Sequence, residues 1–170
     1  MLRRALLRNS LPTKRMIYSA AMLIAVLASV GMGNAHAQTD ADIVAVTAAN
    51  NAFYAAMSGL DPAAMEKVWA PEAYITNIGP RAKTVSIGSP VVQNDFKDGL
   101  FPALAQMVLK PVDPQVHVNG NVAWTVGLET GEAKAKDGTS RAIANLTTNI
   151  FEKKDGRWLL VSHQAQGVPQ

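Results

Sequence analysis

The stretch that decides the fold lies near the C-terminus, where residues 145–166 read NLTTNIFEKKDGRWLLVSHQAQ. Two runs of strand-forming residues flank Asp155-Gly156, and this dipeptide between such runs is a strong signal for a tight hairpin turn. The pattern therefore predicts two antiparallel strands, over residues 141–152 and 158–166. We expect the rest of the chain to supply the elements that cover this hairpin.

Residues two apart on a strand share one face, so each predicted strand can be divided into two faces. One face of the second strand carries Leu159, Val161, His163 and Ala165. One face of the first strand carries Asn145, Thr147, Asn149 and Phe151. Polar groups in the middle of a sheet must contact water or bond to partners. The hairpin therefore predicts a polar stripe within the sheet.

The rest of the chain combines helical periodicity with further strand signals. Apolar residues from Ile43 to Met57 recur at three- and four-residue steps, which is typical of an amphipathic helix. Asp61-Pro62 and Ser89-Pro90 each supply an N-cap followed by a first-turn proline. Helices followed by antiparallel hairpins indicate an α+β fold, with helices covering one side of a curved sheet. The predicted elements are helices over 40–58, 62–69 and 89–104, strands over 72–78, 81–87, 107–118 and 121–130, and a polar loop over 131–139.

The first 37 residues have the pattern of a secretory signal peptide. Five basic and no acidic residues precede an apolar run over residues 16–32, and Ala35-His36-Ala37 forms a small-x-small site. Cleavage after Ala37 would leave residues 38–170 as one domain, in the periplasm or secreted, with no attachment to the membrane. An uncleaved anchor is the alternative, but the run is marginal for a bilayer span, which takes about 20 apolar residues. Arg3-Arg4 leaves twin-arginine export open beside the general secretory route.

The net charge after the predicted cleavage differs in sign from that of the whole chain. The whole chain has 16 basic and 13 acidic residues and a net charge of +3. Eleven of the basic and all of the acidic residues follow position 37, so the remaining chain has a net charge of −2. The high isoelectric point belongs to the export segment and does not support binding to nucleic acid or to a membrane surface. The absence of cysteine excludes disulfides, thiolate chemistry and lipobox lipidation.

The order of elements and several short motifs resemble the NTF2-like superfamily, in particular its SnoaL-like members. The motifs are Trp69-Ala70-Pro71-Glu72-Ala73, the stretch 113–120 and Asp155-Gly156-Arg157-Trp158. The last two are similar to the association domain of calcium/calmodulin-dependent protein kinase. The resemblance covers nearly all of residues 40–167. It implies a cone-shaped barrel, in which a curved antiparallel sheet wraps around N-terminal helices and a deep cavity, and homodimers packed through the outer face of the sheet.

The same resemblance assigns the polar stripe of the hairpin to the cavity. The cavity positions that carry arginines in the kinase association domain correspond to Thr130, Asn149 and Ala165. Without a guanidinium group at these positions, the cavity lacks the side chain that binds a carboxylate in a bidentate manner. We therefore expect a ligand that is small and neutral or weakly polar. The predicted ligand-binding residues are Tyr54, Trp69, Asn77, Trp124, Asn145, Thr147, Asn149 and His163.

His163 is the predicted centre of any chemistry, because an unperturbed pKa near 6.5 suits proton transfer. A cofactor-independent isomerase, lyase or cyclase would use His163 as general base. A ketosteroid-isomerase-type site would add a carboxylate and a tyrosine such as Tyr54 or Tyr74. The available carboxylates are Glu72, Asp95, Asp98, Asp113, Glu129 and Glu132.

Two further possibilities stay open from the residues alone. His163 could be a purely structural histidine, and the domain could dimerise or associate with a partner without any ligand. Metal and cofactor sites are not predicted, because His117 and His163 have no metal-ligand spacing with a carboxylate and no phosphate-binding glycine loop is present. The discriminating feature is the cavity: an open one favours binding, and a carboxylate bonded to His163 inside it favours an enzyme.

Overall fold

The computed structural model describes residues 39–169, so the predicted signal peptide lies outside the described residues. The helices are α1 (residues 39–59), α2 (Pro62–Val68), α3 (Ser89–Asn94) and α4 (Phe101–Ala103), with a π-helical segment (Asp95–Leu100) between the last two. Asp61 caps α2 by accepting hydrogen bonds from the backbone N–H groups of Ala63 and Ala64, as its position before Pro62 predicted. No helix in this described part is long and apolar enough to cross a membrane.

Six strands form one curved sheet that does not close into a barrel. The strands are β1 (Thr76–Ile78), β2 (Ser86–Ile87), β3 (Leu104–Asn119), β4 (Val122–Ala135), β5 (Ser140–Lys154) and β6 (Arg157–Gly167). Their order is β2-β1-β6-β5-β4-β3, and all pairs are antiparallel except β1–β6. The β5–β6 hairpin turns at Asp155 (φ 50°) and Gly156 (φ 76°), and positive φ at both turn residues is the geometry that Asp-Gly favours. The α+β fold predicted from the order of helices and hairpins is confirmed.

Residues 131–139 do not form the predicted polar loop. β4 continues to Ala135, and a short turn connects it to β5 at Ser140. Ala133 is buried and pairs with Met107 on one side and Arg141 on the other, while the neighbouring charged residues are exposed. The charged side chains that suggested a loop lie on the solvent-exposed outer face of β4. The prediction was wrong because a strand with one buried and one exposed face can carry such charges.

A β-bulge in β6 changes the predicted division of its faces. Ile150 pairs with Ser162, but the next residue of β5 pairs with Leu160, so Val161 is an extra residue on β6. Leu160 before the bulge and His163 after it are consequently both buried on the face that the helices cover, which we call the inner face. The prediction that residues 159 and 163 share one uninterrupted face is therefore wrong. The prediction for β5 is consistent with the burial of its residues 145, 147, 149 and 151.

Helix α1 is tied to the sheet at both of its ends. Near its start, the Asp42 carboxylate accepts hydrogen bonds from Lys153 Nζ (2.6 Å) and Trp158 Nε1 (3.2 Å). Near its end, Ser58 Oγ donates to the Leu109 carbonyl oxygen (3.0 Å) and accepts from the Leu109 N–H (2.9 Å). Between these ties the helix packs its apolar side onto the inner face, with Phe53 fully buried. The two ties hold α1 across the sheet and make it one wall of the interior.

Candidate functional site

A cavity of about 500 Å³ opens between the inner face and the helices. This volume lies within the range of small-molecule binding sites, about 300–1,000 Å³. Its apolar wall consists mainly of Phe53, Met57, Phe96, Leu100, Met107 and Leu109. Its uncharged polar groups and buried titratable groups are Asn77, Ser86, Glu129, Asn145 and His163. The charged residues Arg81, Asp95 and Arg141 also line it, and all three are exposed.

The predicted ligand-binding residues fall into three groups. Asn77, Asn145 and His163 line the cavity. The second group is buried around the cavity without lining it, and consists of Tyr54, Trp69, Thr147 and Asn149. Trp69 belongs to this layer because its ring packs against Phe53 and Phe96, which themselves form the wall.

Trp124 forms the third group, because it lies on the opposite face of the sheet. Its neighbours Ala123 and Thr125 are buried on the inner face, so strand alternation points the Trp124 ring outward. The ring stacks on His117, with 5.3 Å between ring centroids. The prediction that Trp124 forms an apolar wall of the cavity is therefore wrong.

His163 ends a chain of buried hydrogen bonds that crosses the interior. Thr125 Oγ1 donates to Asn50 Oδ1 (3.1 Å), and Asn149 Nδ2 donates to the same oxygen (2.8 Å). Asn149 Oδ1 lies 2.7 Å from His163 Nδ1. Because Asn149 uses its amide N–H toward Asn50, its oxygen faces the imidazole and Nδ1 must carry the proton. The Nε2 atom of the neutral ring is then left as an acceptor.

Burial keeps the His163 ring uncharged. The side chain is 6% exposed, and desolvation lowers the pKa of His163 to about 4. Among residues 39–169 no carboxylate bonds to the ring to offset this cost, since its partner is the amide of Asn149. A neutral histidine of low pKa is a hydrogen-bond acceptor at ordinary pH and a weak general base.

The burial of neutral His163 predicts a loss of stability in mild acid. Below the ordinary pKa of 6.5, the unfolded chain binds a proton that the folded protein excludes until pH about 4. The free energy of unfolding should therefore fall by roughly 3 kcal/mol between these two pH values. Urea titrations at several pH values in this range should show this decrease in the free energy of unfolding in the wild type and not in His163→Gln.

Subtracting the pH dependence of His163→Gln from that of the wild type removes the contributions of other titrating groups to the free energy of unfolding. His117→Gln is the matched control, because His117 is exposed on the outer face, and it should retain the slope. An unchanged slope in His163→Gln would show that another group is responsible.

Glu129 is a cavity residue that the sequence analysis named among six carboxylates but did not place. It is 3% exposed and lines the cavity. Its Oε1 accepts a hydrogen bond from Asn145 Nδ2 (2.6 Å), whereas its Oε2 has no partner in the described part of the chain. Burial raises the pKa of the Glu129 carboxyl group, and hydrogen bonding with Asn145 and Tyr54 opposes that shift. Burial likewise raises the pKa of Tyr54, to about 12.

Strand alternation carries a signal that could have placed Glu129. Within β4 the residues two apart from it, Gly127 and Gly131, have little or no side chain, while the inner positions Thr125 and Ala133 are buried. A single carboxylate at an inner position between two glycines indicates a polar group directed into a cavity, because the glycines leave the room beside it unfilled. Asn50 carries a comparable signal, since it interrupts the apolar stripe of α1.

The fold and the cavity together define a class of protein. It is an α+β domain in which helices cover the inner face of a curved sheet and enclose a mostly apolar cavity with buried polar groups. Residues 46–168 match the model of the SnoaL-like domain, and the chain belongs to this family. No curated protein matches the chain in sequence.

Solved structures agree with the NTF2-like fold. A candidate dehydratase of the NTF2-like family from Streptomyces avermitilis is 22% identical, with a TM-score of 0.69, and the match covers 78% of this chain and 99% of that one. A candidate calcium/calmodulin-dependent protein kinase type II association domain from Thiobacillus denitrificans is 24% identical, with a TM-score of 0.62 and coverages of 72% and 94%. A hexachlorocyclohexane dehydrochlorinase from Novosphingobium barchaimii is 12% identical, with a TM-score of 0.65 and coverages of 76% and 88%. The NTF2-like and SnoaL-like resemblance of the sequence is confirmed. At these sequence identities the structural matches support the fold and no more.

Proposed function

We propose that this protein is exported and binds a small, neutral or weakly polar molecule in its cavity. The observation that carries the proposal is an open cavity of about 500 Å³ whose wall is mostly apolar and whose buried polar groups retain bonding capacity. Pockets of this composition hold small ligands by apolar contact and orient them by a few polar groups. Export rests on the pattern of the first 37 residues, and pulse-labelling would test it by showing a shorter, periplasmic product.

Two features favour binding over catalysis. His163 is bonded to an amide instead of a carboxylate, and its pKa of about 4 makes it a poor general base near neutral pH. The enzyme alternative, a cofactor-independent isomerase, lyase or cyclase, is favoured by one observation: Glu129, with a raised pKa, lines the same cavity. If the protein is such an enzyme, Glu129 is the better acid–base group. Within residues 39–169 no cluster of three or more metal-ligating side chains is present.

A variant that fills the cavity tests the binding proposal. Leu100 lines the cavity and is partly exposed, so Leu100→Trp should occupy the space with little change to the packed core. Protein purified from the periplasm should release a small molecule on denaturation, detected by mass spectrometry. We expect the amount released from Leu100→Trp to fall at least tenfold.

Val44→Trp is the control for this measurement. Val44 is 69% exposed on α1, outside the cavity, so this variant gains the same aromatic ring without obstructing the ligand. Equal release from both variants, or no release from the wild type, would contradict the proposal.

We also propose that the protein is a homodimer that uses the outer face of the sheet. Four large apolar side chains are exposed on that face, which we call the outer patch: Val108 (51% exposed), Val122 (42%), Val126 (43%) and Leu146 (58%). They lie on the adjacent strands β3, β4 and β5, where a partner would remove their apolar area from water. An association domain without a ligand would use the same surface.

Leu146→Glu should convert the dimer into a monomer, because it places a charge in the centre of the proposed interface. Light scattering on the eluted protein would give the mass. Val44→Glu, on the exposed side of α1, should leave the mass unchanged. A wild-type monomer, or a dimer that survives Leu146→Glu, would exclude this interface.

A further inference from the structure

The polar groups of the cavity lie at two separate places. The first, which we call the histidine end, consists of His163 on β6 and Asn77 on β1, whose Cα positions are register partners. The second, the glutamate end, consists of Glu129 on β4 and Asn145 on β5, which are also register partners. The two ends are offset by four residues along the strands and by two strand spacings, or about 16 Å between Cα positions on a flat sheet. Both ends line the same cavity as the apolar wall.

The histidine end offers hydrogen-bond acceptors. The proton of His163 is held at Nδ1 by Asn149, so Nε2 has a free lone pair. Asn77 Oδ1 is buried without a hydrogen-bond partner in the described region. A ligand group that satisfies these two acceptors must donate a proton. The hydroxyl of Ser86, the register partner of Asn77, lines the same end and can donate or accept. A hydroxyl group fits, whereas a ketone or an ether would leave these acceptors unsatisfied, which costs free energy in a buried site.

The glutamate end also needs a group that can donate. Glu129 Oε1 accepts a hydrogen bond from Asn145, and the Tyr54 hydroxyl also bonds with this carboxyl group, whereas Oε2 has no partner within residues 39–169. A hydroxyl group can donate to Oε2 when the carboxyl group is ionised, and can accept from it when the carboxyl group is protonated. An anionic ligand would meet acceptors at both ends. A cationic one would pass the exposed Arg81 and Arg141, which outnumber Asp95 at the lining.

On these grounds, and resting on the proposed binding function, we propose that the ligand is an uncharged, largely apolar molecule with hydroxyl groups at its two ends. One hydroxyl donates to His163 Nε2, and the other bonds to Glu129 Oε2. The separation of the two ends calls for a skeleton of at least two fused rings or a chain of similar length.

A matched set of naphthalenes tests the proposal on the full-length chain. Titration calorimetry would compare 2,6-dihydroxynaphthalene with 2,6-dimethoxynaphthalene, which keeps the ring and the oxygen atoms but has no proton to donate. We expect the dihydroxy compound to bind at least tenfold more tightly, since two buried hydrogen bonds are lost in the other. Glu129→Met should reduce affinity for the dihydroxy compound roughly tenfold and leave the dimethoxy compound unchanged. Glu132→Gln, at an exposed position of the same strand, is the control.

Nitrogen NMR of the wild type adds a measurement that does not depend on a variant. The free protein should show His163 protonated at Nδ1, and the dihydroxy compound should shift the Nε2 resonance. Equal affinity for both naphthalenes would overturn the hydroxyl inference while leaving the binding function in place. If neither compound bound and the purified protein also released no small molecule, both proposals would fail. A ring protonated at Nε2 in the free protein would overturn the assignment of the histidine end.

Discussion

Gly131→Ala is expected to prevent folding, or to lower the free energy of unfolding by about 3–5 kcal/mol, the range of severe core substitutions. A Cβ atom at position 131 would lie 1.8 Å from the Val108 carbonyl oxygen and 2.8 Å from the Val108 carbonyl carbon. Both contacts are with backbone of the paired strand β3, so no side-chain rotation can relieve them. The β3–β4 pair would have to separate where Gly131 pairs with Leu109.

A graded series makes this prediction specific. Gly127→Ala would bring a Cβ to 3.1 Å from Pro114 Cα and 3.2 Å from the Val112 carbonyl oxygen, which is tight but within reach of small shifts. Its cost should be about 1 kcal/mol, typical of a single substitution. Gly79→Ala meets nothing within 4 Å and should be nearly neutral. Soluble yield, circular dichroism and urea unfolding would rank the three. A stable Gly131→Ala protein would show that the β3–β4 pair tolerates a side chain at this position.

Asn50→Ala is expected to lower the free energy of unfolding by about 3 kcal/mol, through two buried groups left without partners at about 1–3 kcal/mol each. The Asn50 side chain is 1% exposed, and its Oδ1 accepts from both Thr125 and Asn149. Without that acceptor, Asn149 loses the contact that directs its own oxygen toward His163. The substitution should therefore also disturb the fixed tautomer of His163.

The two effects of Asn50→Ala can be separated from a general helix effect. Asn51→Ala changes the next residue of α1, which is exposed, and should have a stability within about 0.5 kcal/mol of the wild type. Urea unfolding would give the stability, and nitrogen NMR would report the protonation of the His163 ring. A destabilised Asn50→Ala protein whose His163 stays protonated at Nδ1 would show that the network does not control the tautomer.

Much of the fold follows from local patterns in the chain. Asp155-Gly156 determines the last hairpin because the backbone of this dipeptide adopts the positive φ values that a tight turn needs. Asp61 and Pro62 determine where α2 begins, because a cap and a first-turn proline act on their own neighbours. The period of apolar residues in α1 and the alternation on β5 assign Asn50 and Asn149 to buried faces by the same local logic.

The site depends on contacts that no local pattern contains. The extra residue Val161 reverses the faces of β6, and alternation cannot detect a bulge in advance. The pairing of Asn50 with Asn149 joins residues that are 99 positions apart, and it is this pairing that orients His163. Glu129 became distinguishable from five other carboxylates only when the packed sheet and helices buried its side chain at the lining of the cavity, with Oε2 lacking a partner within residues 39–169. The sequence thus determined the elements and the polar character of the interior, since these follow from neighbouring residues, whereas the tertiary structure decided which polar groups meet a ligand, since that depends on long-range packing.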